Sequence, residues 1–422
     1  MLRCLAPSCG TGRLPPPRSP LLLEIYNTLS KRIEPFEPIE DGLVRMYVCG
    51  VTPYDVGHLG HALTYVLFDT VRRYLEFQPY DVRHIQNITD VDDDMVRVSR
   101  QLEISIAELT RQNHAVYLAE MDALNVLRPD AYPLASQSMS EIIALIEVLL
   151  EGGHAYLADG HVLFDAANAP DFGALSGRSP AELRDGPRTD MMPQEPEALK
   201  RDPLDFLLWQ PSDAAGASFA SPWGDGRPGW HIECSAMARA GLGDRIDIHG
   251  GGQDLVYPHH ESEIAQSQCA TGVSPFVRYW MHVGTVTIDG AKMSKSLRNL
   301  VKVSELIDAG HTPDAIRLLL LGRHYRAEHP WDAAELGRYE ELALLLRRAS
   351  EAPGGPADQL RVQPRRNAFM DAMDDDFDTP RAIEVLASIA REVLAGALDG
   401  ATAVPTLVEL SGVLGLRLGR EE

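Results

Sequence analysis

Apolar positions along this chain follow two rhythms, and their order predicts the architecture. Residues 25–28, 44–49 and 82–89 are short apolar or alternating runs that read as strands, while residues 63–75 carry the denser apolar pattern of a helix. A strand, a helix of that length and a second strand imply parallel pairing, because parallel neighbours need a crossover connection. Residues 106–127 and 138–152 continue as helices, the second ended by Gly152-Gly153. Residues 154–164 alternate about an Asp159-Gly160 turn, as a hairpin does. Periodicity weakens from 165 to 222. The chain is expected to re-enter the parallel sheet near 228–234. It then runs as a strand from Arg245 into Gly250-Gly251-Gly252, followed by a helix opened by Pro258. Beyond 296 the pattern is helical over 313–321, 334–348, 368–398 and 406–416, with Glu351-Ala-Pro-Gly-Gly-Pro356 as a linker.

The expected fold class is α/β: a Rossmann-like parallel-sheet catalytic domain with an insertion, followed by a C-terminal α-helical bundle. The boundaries read as a disordered extension over 1–22, the first half of the catalytic domain over 23–125 and a connective insertion over 126–225. The second half follows over 226–281, a lysine-loop region over 282–330 and the helical domain over 331–422.

Composition narrows the picture. No apolar run in the 422 residues reaches membrane-spanning length. A formal net charge of −22 argues against a protein that coats nucleic acid non-specifically. Local basic groups still leave room for one shaped RNA: Arg72-Arg73, Lys292 with Lys295 and Arg298, Arg317 with Arg323, and Arg347-Arg348. Five cysteines are too sparse and scattered for a disulfide framework, so a cytoplasmic location is expected.

The chemistry gathers at a few places. His58-Leu-Gly-His61 follows a turn with Pro53 and Gly57 and opens the first helix, where backbone N–H groups and two imidazoles can meet a polyphosphate. Alone this motif is weak. Lys292-Met-Ser-Lys-Ser296 supplies a second cationic element far downstream. The run Asp90-Val-Asp-Asp-Asp94 fits helix capping and solvated charge better than a divalent-metal site. Three consecutive glycines, 250–252, permit close backbone approach to a ligand, and a tight structural turn would use them equally. Cys49, Cys234, His259 and Glu263 offer two thiolates, an imidazole and a carboxylate, the last two sharing a helix face. Both cysteines are expected at strand carboxyl ends. On spacing alone, burial as small apolar residues is the commoner use of such cysteines.

Taken together, the following motifs resemble cysteinyl-tRNA synthetases, of the class I aminoacyl-tRNA synthetases: Asn27-Thr-Leu, Tyr47-Val-Cys-Gly, His58-Leu-Gly-His61, Asn87-Ile-Thr-Asp-Val-Asp-Asp93, Trp209, Gly229-Trp-His-Ile-Glu-Cys-Ser-Ala-Met237, His249-Gly-Gly-Gly252, Tyr257-Pro-His-His-Glu261 and Lys292-Met-Ser-Lys-Ser296. The resemblance runs from about residue 25 to 416. It implies one Zn2+ on Cys49, Cys234, His259 and Glu263, holding the thiolate of substrate L-cysteine, with Gly50, Thr89 and Trp230 lining the amino-acid pocket. It implies ATP, with Mg2+, on His58, His61, His249, Gly251, Asp254 and Lys295. His58, His61, Lys292 and Lys295 are the implied catalytic residues, residues 282–330 the KMSKS loop and stem-contact region, and tRNA(Cys) the acceptor. A monomer without membrane association is expected.

Some positions depart from that pattern: Leu63 stands where the family has Arg, Asp94 where it has Lys, and Arg298 where it has Gly. The chain is also short of the family's small anticodon-reading region. These departures bear on the acceptor, and keep open a cysteinyl-adenylate-forming amide ligase acting on glucosaminyl-inositol, as in mycothiol synthesis. A non-catalytic cysteine- or zinc-sensing paralogue is a third reading.

Overall fold

A computed structural model of the protein describes residues 23–55, 57–186, 195–212, 217–293, 299–356 and 359–419. Strands Leu43–Val51 (β1), Asp81–Ile88 (β2), Ile246–Gly252 (β3) and Val277–Val283 (β4) form an all-parallel sheet in the order β4-β3-β1-β2. Leu59–Phe77 (α1) crosses from β1 to β2. The expected α/β class with a Rossmann-like sheet is therefore what the chain adopts.

Period-2 alternation along β1 assigns its two faces. Val44, Met46 and Val48 enter one core cluster with Ala62, Leu63 and Val66 of α1, whereas Tyr47 and Cys49 enter another with Cys234, Met237 and Trp280. One face thus holds the fold together, at about 1.5–3 kcal/mol for each large apolar side chain fully buried. The other carries the chemistry. The β1–β2 register shifts between Val48 and Val51, so the irregularity falls at Cys49 and Gly50.

Between β2 and β3 the chain makes a long excursion. It includes helices Asp93–Leu102, Ile106–Ala123 (α2) and Met139–Glu151, and an antiparallel sheet of Ala155–Ala158, His161–Phe164, Phe206–Pro211 and Gly226–Pro228. Here the sequence reading needs correction. Gly226–Pro228 belongs to this antiparallel sheet, and residues 230–242 do not re-enter the parallel one. Trp230–Leu242 (α3) is a helix, so Cys234 lies on a helix and not at a strand end. Gly229 precedes it in extended backbone, and the following residues hold few β-branched side chains to resist helix formation.

Glu261–Thr271 (α4) leads from β3 towards β4. A small sheet of Val286–Ile288, Ala291–Lys292 and His329–Pro330 follows, then the short helix Val303–Asp308 (α5). Helices Pro313–Leu321, Ala333–Ser350, Gln359–Asp374, Thr379–Leu394 and Ala403–Val413 form the C-terminal bundle. The single helical stretch expected over 368–398 is two helices, broken by a turn in which Asp376 and Phe377 have positive φ.

Arg317 is not surface charge. It is fully buried, donating to Asp69 at 2.5 Å and to the carbonyls of Leu124 and Leu414, and so ties α1 to the end of the bundle. Leu63 also lies in the core, 1% exposed.

Candidate active site and metal centre

Four segments deliver the buried polar cluster. β1 brings Cys49. On α3, Trp230, Glu233 and Cys234 fall three and four residues apart and share a face. The irregular turn Val256–His260 presents His259, and Glu263 follows one helical turn later on α4.

The donor atoms of Cys49, Cys234, His259 and Glu263 all lie within 4.8 Å of one another and all four residues are buried. The two sulfurs are 3.9 Å apart, Cys49 Sγ is 3.6 Å from Glu263 Oε1, and His259 Nε2 is 3.1 Å from that same oxygen. In a tetrahedral zinc site, sulfur–sulfur edges are about 3.8 Å and nitrogen–oxygen edges about 3.3 Å, from ordinary bond lengths. The donor set therefore fits a zinc ion. Glu263 Oε2 has no hydrogen-bond partner, an expensive arrangement for a buried carboxyl unless something cationic meets it.

Electrostatics agree with a site built around a cation. Burial pushes the Glu263 carboxyl and the Cys49 thiol well above their ordinary values. Hydrogen bonding from Cys49 pulls the Cys234 thiol down, to about 7.

Sequence reasoning missed His260. Its Nε2 stands 3.3 Å from Cys49 Sγ, and Cys49, His249, His260 and Glu263 form a second convergent set. The only signal was the His259-His260 doublet. The second set shares Cys49 and Glu263 with the first but offers a single sulfur. His260 Nδ1 is also 2.7 Å from His282 Nε2, whose ring in turn meets Thr28. His249, expected near ATP, is fully buried with Nε2 3.5 Å from Cys49 Sγ, which sets it beside the thiol cluster.

Around this cluster, Trp230 stacks on His259 with centroids 4.2 Å apart. Asn87 stitches the ends of two strands through its side chain: Oδ1 accepts from Gly50 N–H at 2.8 Å, and Nδ2 donates to Thr89 Oγ1 at 3.1 Å. Gly50 is obligatory, since a Cβ there would sit 1.6 Å from the backbone carbonyl oxygen of Asn87.

On the phosphate side, His58 is the N-cap of α1, its Nδ1 accepting from Gly60 N–H at 3.1 Å, and its ring lies 4.0 Å from that of His61. Lys292 meets Asp254 at 2.7 Å, and Gly251 is buried at the end of β3, paired with His282. Lys295 and Arg298 lie outside the described residues. Asp92 caps the helix Asp93–Leu102, as the capping reading expected, whereas Asp90 is buried and accepts from Ser136 instead of being solvated. Asp94 pairs with Arg97.

Residues 35–339 match the model of the class I tRNA synthetase (C) catalytic domain, and residues 368–419 match the DALR domain. A cysteine--tRNA ligase of Alkalilimnicola ehrlichii is 48% identical, covering 94% of this chain and 86% of its own. One from Halorhodospira halophila is 47% identical, over 94% of this chain and 85% of its own. A Mycobacterium tuberculosis methionyl-tRNA synthetase in complex with methionyl-adenylate shares the fold, with TM-score 0.63 and 16% identity, over 88% of this chain and 89% of that one. Among the described residues, no helix is long and apolar enough to cross a membrane.

Proposed function

The chain belongs to the cysteine--tRNA ligase family of class I aminoacyl-tRNA synthetases, and from that premise we propose how its residues divide the reaction. It is an AMP-forming ligase that activates L-cysteine with ATP and transfers it to tRNA(Cys). The amide ligase and the idle sensor are not favoured.

Cys49, Cys234, His259 and Glu263 would hold one Zn2+. When bound, the ion supplies a soft acid for the substrate thiolate, an interaction that the hydroxyl of serine reproduces poorly. The observation that carries this reading is the convergence of two thiols, an imidazole and a carboxyl with an unpaired oxygen, all buried. Gly50, Thr89 and Trp230 would shape the pocket for the rest of the amino acid. The Gly50–Asn87–Thr89 hydrogen bonds support that role, because they fix the Thr89 hydroxyl before substrate arrives.

His58 and His61 would face the triphosphate from the start of α1, with Gly251 and Asp254 on the nucleotide and Mg2+ accompanying ATP. Lys295, assisted by Lys292, would stabilise charge developing on the phosphates. The Lys292–Asp254 pair supports a lysine segment lying over the nucleotide site. His249, assigned to ATP on sequence, would instead act on Cys49, whose Sγ lies 3.5 Å from its Nε2. We further propose a cytoplasmic monomer.

Purified protein given ATP and labelled cysteine tests the reading. Cysteine-dependent pyrophosphate exchange and label on tRNA(Cys) are expected; label on glucosaminyl-inositol alone would overturn it.

A further inference from the structure

We propose that Glu120 is a positioning residue for adenylation, fixing the turn that carries His58 and His61 against the chain that follows the lysine signature. The inference rests on the adenylating reading above. Glu120 lies on α2 and is 4% exposed. Its Oε1 accepts from Ser304 Oγ at 3.0 Å and from Ser304 N–H at 3.4 Å. Ser304 sits in the first turn of α5, whose N-cap Lys302 gives no side-chain cap. Glu120 thus reaches from another helix to satisfy an N-terminal donor of α5.

The other carboxylate oxygen lies beside Gly57, the residue before the first signature. A Cβ on Gly57 would lie 2.9 Å from Glu120 Oε2, so the carboxylate rests directly on the turn before His58. Backbone pairing joins the same two segments, with Leu59 N–H donating to Val301 O at 2.9 Å.

α2 is itself anchored along one face. Asn113 donates to Pro53 O at 2.8 Å, and Tyr117 OH accepts from Gln86 of β2 at 2.6 Å. Asn113, Tyr117 and Glu120 are four and three residues apart, so a single helix face holds the signature turn, the central sheet and α5 in register. Burial holds the Glu120 carboxyl above its usual range, and the Ser304 hydrogen bonds oppose that rise. Glu120 thereby couples the turn before His58 to the segment that follows the lysine signature, a link that acts on the placement of the histidines as well as on stability.

ATP–pyrophosphate exchange by the full chain tests this, with melting followed alongside. Wild-type exchange establishes adenylation; its absence would sink the functional reading and not this inference specifically. Glu120→Ala should lower kcat about 10-fold or more while KM for cysteine moves less than about 3-fold, the signature of misplaced groups. Glu120→Gln keeps an acceptor for Ser304 and should recover to within about 3-fold of wild type. Gly57→Ala, which pushes on the carboxylate without removing it, should reproduce the kcat loss, and Ser304→Ala should add nothing to Glu120→Ala. Wild-type kcat in both Glu120→Ala and Gly57→Ala would overturn the proposal. So would a loss in both that only tracks the fraction of unfolded protein.

Discussion

Cys49 and Cys234 are 185 positions apart in sequence, yet their sulfur atoms stand 3.9 Å from each other, joined by a thiol hydrogen bond and not by a disulfide. A disulfide would need about 2.05 Å. The separation suits two ligands of one ion, and it is set by two rigid elements: the alternation of β1 and the turn spacing of α3.

Cys234→Ser should therefore leave the fold standing and empty the metal site. Zinc measured after dialysis against a weak chelator should fall from about one per chain to well below half, and cysteine activation should fall about 10²-fold. One retained zinc per chain would remove Cys234 from the ligand set.

The capping role of His58 and its proposed phosphate role can be separated. As N-cap it contributes about 1 kcal/mol, and an asparagine can take over that acceptor role. His58→Asn should melt near the wild-type temperature, whereas His58→Ala should lose about that amount. Both should slow pyrophosphate exchange, by about 10²-fold, as should Lys295→Ala, if imidazole and ammonium stabilise the developing charge. Normal exchange in His58→Asn would limit His58 to capping.

Most of the central sheet was legible in the sequence, because β1 and β2 keep their apolar runs and α1 its 3.6-residue pattern. α3 was not. His231 through Ala238 are all buried, so the segment shows no polar face from which a helical period could be read. The role of Arg317 was hidden for a related reason, since charge is ordinarily a mark of the surface. His260 went unseen because only the irregular Val256–His260 turn lets adjacent histidines reach one sulfur-lined space.

The Arg317–Asp69 pair gives a stability prediction. Both side chains are fully buried, and Asp69 also accepts from Arg73 and from Leu127 N–H. Arg317→Met strips a charge from that cluster and should cost about 3–5 kcal/mol in denaturant unfolding. A change below about 1 kcal/mol would mean that Arg73 alone suffices to compensate Asp69.

His84 predicts part of the acid response. Burial pulls it down to about 3 from an ordinary 6.5, so the folded chain holds it neutral where the unfolded chain takes a proton. Its contribution is complete above pH 6.5 and is lost as pH falls towards 3, at about 1.4 kcal/mol per pH unit. His84→Leu should flatten the stability–pH curve between pH 6 and 4 by about that slope. Parallel curves for the two proteins would contradict the burial argument.

Substrate sulfur meeting a protein-held metal is the central step, and cobalt-substituted protein reports on it directly. Adding cysteine should intensify the thiolate-to-cobalt absorption as a third sulfur joins those of Cys49 and Cys234, while serine should leave it unchanged. A spectrum indifferent to cysteine at saturating concentration would contradict the claim.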